Sequence, residues 1–488
     1  MVTSGHLPKG LALLRAKVAS SILRVLRIEG SSMIKITKFG GSSVSSAGQF
    51  KKVKAIVQAD PSRRFVVVSA AGKRDKFDSK ITDLLYLVNA HLQYHVTCDD
   101  LLGTIGQRFC EIAKELNLSY PISHEFGIFR ELAKRGEYTP EYIVSRGEYF
   151  TGRMMAEYLG FPFVDAADVI TFRPDSSIDM DKTAEKLKAA IGEEKCFVLP
   201  GFYGATEDGK IKLLDRGGGD ITGAIVAQCL GADLYENWTD VSGFLTADPR
   251  IVDNPKSISR ITYAELRELS YMGASVLHEE AIFPVKDAGI PLVIKNTNAP
   301  DDPGTVISEE TEPGVAEPLI TGIAGKKDFI AIHVKTNHMS SKVGYIRKTL
   351  SIFERYRVSI EHIPTGIDSF AVVVQGGDVK DCLYSIVADI KSELEPDEIK
   401  IVDRLALIST VGRNMPSRPG TSGRLFGELG HAGINIRMIA QGSEELDIVV
   451  GVDVDDFERA IRVIYGAFVD SDDNIITVEE AEEEATNE

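Results

Sequence analysis

From residue 33 to residue 307, short apolar runs alternate with longer stretches in which apolar residues recur at helical spacing. The runs at 35–39, 64–69, 163–166, 196–200, 232–237 and 291–295 are rich in β-branched and aromatic residues and predict strands. The stretches at 79–95, 102–116, 140–159, 181–191, 221–230 and 274–288 predict amphipathic helices. Strands alternating with helices predict an α/β fold with a mainly parallel sheet. One hairpin interrupts the alternation, with 201–206 and 210–214 flanking the turn Glu207-Asp208-Gly209.

Segments rich in Pro, Gly and acid at 298–304 and 308–314 read as a linker, and beyond them the texture changes. Strands at 329–334, 359–363 and 369–374 with helices at 345–356 and 379–394 make one small unit. A second copy follows: strands at 405–411, 435–441 and 447–452, helices at 421–432 and 456–468. Two βαββαβ units form an internal repeat, so the chain is expected to be an α/β catalytic domain followed by paired small domains.

A length of 488 residues fits about two to four such domains. The net charge of −17 argues against a nucleic-acid partner. No apolar run is long enough to span a bilayer, which argues against a membrane one. Five scattered cysteines without CxxC spacing argue against a disulfide framework or a metal site and fit a reducing cytoplasm. Residues 1–32 differ: Lys9, Arg15, Lys17, Arg24 and Arg27 precede the first acid, Glu29. That pattern suits a transit peptide or a leader, and Met33, directly before the first core strand, favours the leader. Residues 476–488 read as a solvated acidic tail.

The chemistry concentrates at two glycine loops. In KITKFGGSSVSSAGQFKKV a strand ends on Lys38, and Gly40 and Gly41 let the backbone turn tightly with Ser42 and Ser43 beside them. The helix expected next would turn its positive end to an anion, most naturally a phosphate. In LLDRGGGDITGAIVAQ a strand again meets glycines and a helix, now with Arg216, whose guanidinium grips carboxylate or phosphate in two-point fashion, or serves as a structural ion-pair partner. Gly204 to Lys210 spells GxxxxGK, but Ile211 stands where a P-loop needs Ser or Thr, and the stretch crosses a hairpin, so it reads as a turn. Glu148 lies in a predicted helix (SRGEYFTGR), where it is a solvated charge or a site residue. Ser69 and Thr82 sit at a strand end and a helix start, where a capping hydroxyl is the alternative. Thr239 and Asp240 follow a strand, at the end where open α/β sheets bind ligands.

Together KFGGSS, VVSA, KITDLL, SRGE, PGF, RGGGD, TDVSGFLTADPR and GASVLH resemble the aspartate kinases of the amino acid kinase fold, and the two small units resemble that family's tandem ACT domains. The resemblance implies a three-layer sandwich at 33–307 and a linker plus first strand of the second ACT unit at 308–327. It places the first ACT unit at 328–400 and the rest of the second at 401–475. It implies transfer of phosphate from ATP, with Mg2+, to the side-chain carboxylate of L-aspartate, the opening step of lysine, threonine and methionine synthesis. A carboxylate is already ionised at neutral pH, so no general base is needed; the obstacle is repulsion between two anions. Lys38 would neutralise the transferring phosphoryl group with the Gly40 and Gly41 amides, and Asp220 would orient Lys38 or help hold magnesium. Arg216 would take the substrate α-carboxylate and Glu148 its ammonium, with Ser69, Thr82 and Gly219 as further contacts. Gly40, Gly41, Ser42, Thr239, Asp240, Phe244 and Arg250 fall where the family binds the nucleotide. The chain departs from the family pattern at Asp215 (usually Gly), Gly219 (usually Ser) and Ser275 (Lys in some members). His278 reads as a packed or capping residue rather than a base.

In the first ACT unit, Met339, Gly344, Tyr345, Ile346 and Glu361 occupy effector positions of lysine-sensing members, with Glu361 suited to the effector's side-chain ammonium; a structural loop is the alternative. The resemblance thus implies feedback inhibition by L-lysine, or else threonine, and a homodimer or tetramer joined through ACT domains. Another amino acid kinase, or an amino-acid sensor without activity, are the competing functions. The tandem ACT units oppose the first, and Lys38, Arg216 and Asp220 the second.

Overall fold

In the computed structural model, the described residues are 33–192, 195–215, 217–274, 277, 282–310 and 318–470. The expectations for 1–32, Arg216, Ser275, His278 and 476–488 fall outside them.

The first half begins β1 (Lys35–Phe39), α1 (Ala47–Ala59), β2 (Phe65–Val68), α2 (Ile81–Gln93), α3 (Asp99–Glu115), α4 (Ile122–Lys134), α5 (Pro140–Leu159) and α6 (Ala166–Val169). It continues with β3 (Thr171–Phe172), α7 (Met180–Ala190), β4 (Phe197–Pro200), β5 (Tyr203–Thr206), β6 (Ile211–Leu213), α8 (Gly218–Leu230) and β7 (Leu234–Thr239). It closes with β8 (Arg260–Thr262), α9 (Tyr263–Tyr271), α10 (Phe283–Asp287), β9 (Leu292–Asn296) and β10 (Thr305–Ser308). Seven strands form one sheet in the order β4-β2-β1-β7-β9-β10-β8, with every neighbouring pair parallel except β9 and β10.

Alternation along β2 shows why three layers form. Phe65 and Val67 join a core with α7, α8 and α9, whereas Val66 and Val68 join a second core with α1 to α5. A strand buried on both faces must be apolar throughout, and FVVV is. The GxxxxGK look-alike is the β5–β6 hairpin.

The second half contains β11 (Gly322–Lys335), α11 (Tyr345–Arg355), β12 (Ser369–Gln375), α12 (Gly376–Val379), α13 (Leu383–Leu394), β13 (Glu398–Val411), α14 (Thr421–His431), β14 (Met438–Gln441), β15 (Asp447–Asp453) and α15 (Phe457–Phe468). One antiparallel sheet, β12-β11-β13-β15-β14, runs through both of the expected small units. Gly322–Lys326 of β11 pairs with the end of β13, and Phe329–Lys335 pairs with its start, across a register shift at 326–329. Asp328 and Arg404 sit there with positive φ of 72° and 57°. The expected divisions at 327/328 and 400/401 therefore lie inside two long strands. α11 and α13 cover one end of the sheet; α14 and α15 cover the other.

Three predicted elements differ from the structure, and several elements went unpredicted. Residues 163–166 make one bridge, Phe163 to Val198, because Asp165 accepts from Ala167 N–H and starts α6 instead. Residues 359–363 contribute a bridge from His362 to Val373 rather than a strand; Pro364, without an N–H, follows at once. Among the described residues of 274–288 only Phe283–Asp287 is helical. Helices α4, α6 and α9 and the short strands β3, β8 and β10 were not foreseen; β10 lies between the two linker-like segments.

Candidate active site

Parallel pairing brings the carboxyl ends of β1, β2, β4 and β7 to one rim. Phe39 is level with Val68 and Trp238, and Val68 is level with Pro200. Gly40, Ser69, Gly201 and Asp240 come next on the chain, which is where open α/β sheets take ligands.

Lys38 is buried, and its ammonium is ion-paired with Asp220 in the first turn of α8. The same carboxylate oxygen of Asp220 accepts from Asn237 Nδ2 at 2.8 Å, and Asn237 is the register partner of Lys38 on β7. A Cβ on Gly219 would stand 3.4 Å from Lys38 Cε, and one on Gly40 would stand 3.6 Å from Lys38 Nζ. The two glycine loops therefore meet at this lysine.

The Gly40-Gly41 turn is tied on both sides. Gly40 N–H donates to Trp238 O at 2.9 Å, and Gly41 O accepts from Gly72 N–H at 2.8 Å. The turn does not run straight into α1, as the sequence suggests; it forms a single 3-10 turn, Gly41–Val44, with Ser42 half-buried. Ser43 pins this turn by a 2.7 Å hydrogen bond to Thr297, and Ser46 caps α1 with its own side chain. The backbone N–H groups near Lys38 are thus those of the turn, not of α1.

Glu148 stands in the middle of α5, a helix begun by the Thr139 cap and Pro140 and closed by Gly160 at φ 74°. Its carboxyl is buried, accepts from the Ala70 N–H, and leaves Oε2 without a hydrogen-bond partner. Burial pushes its pKa up to about 8, against the opposing pull of that backbone bond and of Arg146. An unpartnered buried carboxylate oxygen costs free energy until a donor reaches it. Ala70 follows Ser69, and Ser69 Oγ would be 2.7 Å from a Cβ on Gly219. Contact thus runs from Glu148 through Ala70 and Ser69 to Gly219 and Lys38. Thr82 is in the first turn of α2, whose Ile81 N–H donates to Ala71 O at 3.1 Å. Neither Ser69 nor Thr82 caps a helix among the described residues.

Thr239 is half-buried at the end of β7 and donates to Asp240 at 3.2 Å; Asp240 is exposed. Phe244 is fully buried, and Arg250 is 87% exposed and bound to Asp248 at 2.6 Å. Thr239 ends β7 on the same rim as Gly40, and Asp240, Phe244 and Arg250 follow along the loop that leaves it.

Two rim residues escaped the sequence reading. Gly72 packs against the first glycine turn so closely that a Cβ there would be 2.5 Å from the Gly41 carbonyl carbon. Phe202 holds φ 77°, donates its N–H to Thr222 Oγ1 at 3.0 Å and crowds Gly218. The quoted PGF offered the only sequence signal for Phe202, and Gly72 had only its own identity.

Residues 33–296 match the amino acid kinase family, and residues 408–468 match an ACT domain. Aspartokinase 3 of Bacillus subtilis (strain 168) is 35% identical over 449 residues, 89% of this chain and 98% of that protein. The chain belongs to the aspartate kinases. Among solved members, Clostridium acetobutylicum aspartate kinase, described as an important allosteric enzyme, superposes with a TM-score of 0.84 at 47% identity, covering 90% of this chain and 100% of that one. E. coli aspartokinase III is 25% identical in two states. With aspartate and ADP (R-state) its TM-score is 0.68 over 89% of this chain and 99% of that one. With lysine and aspartate (T-state) it is 0.70 over 90% and 100%.

In this aspartate kinase the loop expected to hold an effector is built around α11. Gly344 takes φ 77° to start the helix, and Tyr345 and Met339 are buried in the core of the first ACT unit with Ile346 packed against it. Tyr345 donates to Leu394 O at 3.3 Å. Glu361 is half-buried across the unit and donates its backbone N–H to Val373 O at 2.9 Å.

Proposed function

We propose that this chain transfers the γ-phosphoryl group of ATP to the side-chain carboxylate of L-aspartate, giving 4-phospho-L-aspartate and ADP, and that L-lysine inhibits it through the first ACT unit. The observation carrying the first part is the unpartnered oxygen of Glu148, connected by direct contacts to the lysine at the glycine turn. It supports a site that pairs one substrate ammonium while a buried cation faces a phosphoryl group.

Lys38 draws the negative charge of the phosphoryl group toward β1, and the Gly41 amide adds a donor beside it, whereas the expected Gly40 amide is already spent on Trp238 O. The substrate carboxylate attacks without prior deprotonation, so the work of the site is positioning and charge neutralisation. Asp220 holds the Lys38 ammonium in place and, through its other oxygen, is this chain's candidate ligand for the Mg2+ that accompanies ATP. When bound, that ion screens the phosphate oxygens. Arg216 is assigned the α-carboxylate on its motif alone. Glu148 takes the ammonium; Ser69, Thr82 and Gly219 shape the space between. Thr239, Asp240, Phe244 and Arg250 belong to the nucleotide side.

Lysine as effector rests on the loop at Met339 to Ile346 and on Glu361, together with the lysine-bound state known for E. coli aspartokinase III. Pairing of ACT units between two copies is the assembly this reading implies. An aspartyl-hydroxamate assay with ATP, run with lysine, with threonine and with neither, tests both parts. Aspartate-dependent turnover that falls in lysine is expected; no aspartate-dependent turnover refutes the first part, and turnover untouched by millimolar lysine refutes the second.

A further inference from the structure

The loop after β7 has its root in one domain and its tip in another. At the root, Ser242 is bonded to Asp302 at 2.5 Å and to Asn296 at 3.0 Å, and Phe244 N–H donates to Thr305 Oγ1 at 2.8 Å. These are partners in the kinase half. The loop then closes as a hairpin: Thr246 N–H donates to Lys256 O at 2.9 Å, and Ile258 N–H donates to Phe244 O at 2.8 Å.

The tip is held by the second ACT unit. Thr246 O accepts from Ile323 N–H of β11 at 2.7 Å. Ile251 O accepts from Arg462 Nε of α15 at 2.8 Å, and the Tyr465 hydroxyl accepts from Lys256 N–H at 3.0 Å. Ala247 and Val252 are buried in the same apolar core as Phe457, Ile461 and Tyr465. Between hairpin, β11 and α15 lies a cavity of about 910 Å³, bounded by Phe244 and Arg250 on one side and by Lys327, Phe457, Glu458 and Ile461 on the other. Lys327 and Glu458 face each other there at 3.1 Å.

We infer that the second ACT unit is a structural half of the nucleotide site, with Arg462 and Tyr465 as positioning residues that set the hairpin against the bound nucleotide. The inference rests on the assignment of Phe244 and Arg250 to the nucleotide side. A hairpin anchored at its root in one body and at its tip in another must deform when the two bodies move. Movement of the ACT pair then reaches the nucleotide through α15 by direct contact, independently of the 308–317 linker. The aspartate side, built on α5 and the loop after β2, has no such tie among the described residues and should not respond.

The test uses the full chain with Tyr465→Phe, Arg462→Ala and Arg462→Lys. ADP affinity is read by calorimetry, and KM for ATP and for aspartate by turnover. Tyr465→Phe keeps the ring in the α15 core and removes only the acceptor. Each lost hydrogen bond should weaken ADP binding and raise KM for ATP about five-fold, with KM for aspartate unmoved, and Arg462→Lys should recover most of the loss. Normal ADP affinity in both Tyr465→Phe and Arg462→Ala, even with a lower melting temperature, overturns the inference; so does an equal rise in both KM values. If the unmodified chain shows no aspartate-dependent turnover yet binds ADP, the function reading fails, and ADP affinity in the variants still decides the inference. If it binds no ADP at all, both fail.

Discussion

Ser69 and Gly219 share one small space: a Cβ at position 219 would stand 2.7 Å from the Ser69 hydroxyl. A serine at 219, as the resembled family pattern has it, would have to share this space with the Ser69 hydroxyl. Gly219→Ser should drive the Ser69 hydroxyl out of place and raise KM for aspartate by roughly ten-fold, the effect of mild overpacking. Gly219→Ser combined with Ser69→Ala should be better than Gly219→Ser alone, because the clash is gone. A double-mutant cycle on KM for aspartate measures this coupling, and strictly additive effects would show that the two residues act independently.

If Glu148 takes the substrate ammonium as proposed, aspartate binding must depend on pH. With its pKa raised to about 8 by burial, the carboxyl is protonated at neutral pH while its neighbour site is empty. A substrate ammonium favours the ionised form, so binding expels a proton at any pH below about 8. Affinity for aspartate should therefore rise with pH, by up to about ten-fold per unit, and level off above that value. Glu148→Gln should lose this slope and about 100-fold of affinity. The empty enzyme has the opposite trend. Its native state holds the extra proton between 4.5 and about 8, so this group's contribution to stability falls as pH rises through that window. Calorimetry in buffers of different ionisation enthalpy counts the released proton, and a count of zero at about pH 7 would sink the assignment.

Lys38 and Asp220 should differ sharply when each is replaced. Lys38→Met removes the charge proposed to face the phosphoryl group, so kcat should fall by about 10³-fold or more. Asp220→Asn leaves the ammonium and a hydrogen-bonding amide, so the loss should be smaller and should follow the mobility of the lysine. Single-turnover measurements separate the two from effects on binding; equal losses would assign Asp220 more than an orienting role.

What the sequence made legible was local chemistry. Lys38, Gly40 and Gly41 are adjacent, so strand end, turn and cation could be read together. The two-sided burial of β2 was likewise written in an unbroken apolar run. Long-range fits were not legible: the Ser69–Gly219 pair spans two loops, and nothing near Glu148 in the chain says that one oxygen lacks a donor. The ACT strands illustrate a third case. Period-two patterning found their ends, but a strand passing through two units looks like two strands once a bulge interrupts the pattern.

Gly72 tests how much the glycine turn depends on its neighbour. A methyl group there would lie 2.5 Å from the carbonyl carbon and 2.7 Å from the carbonyl oxygen of Gly41, both backbone atoms that cannot rotate aside. Gly72→Ala should push the Gly40-Gly41 turn away from β2, at a stability cost of about 1–3 kcal/mol. KM for ATP should rise more than the stability loss alone explains. Chemical denaturation gives the first quantity and initial-rate kinetics the second; a fully stable variant with ordinary ATP kinetics would mean that the turn yields freely.

Glu361 offers a test of effector chemistry at a distance from catalysis. Its backbone is fastened to β12 at Val373, so the carboxylate is held on a fixed strand-like segment rather than on a loose loop. If it receives the side-chain ammonium of lysine, Glu361→Gln should weaken inhibition by lysine by roughly ten-fold or more, the worth of a charge-assisted hydrogen bond. Threonine has no such ammonium on its side chain, so any inhibition by threonine should be untouched by the same change. Inhibition curves for both amino acids on both proteins separate the possibilities. A parallel loss for lysine and threonine would place the recognition elsewhere, in the α-amino and α-carboxyl groups that the two effectors share.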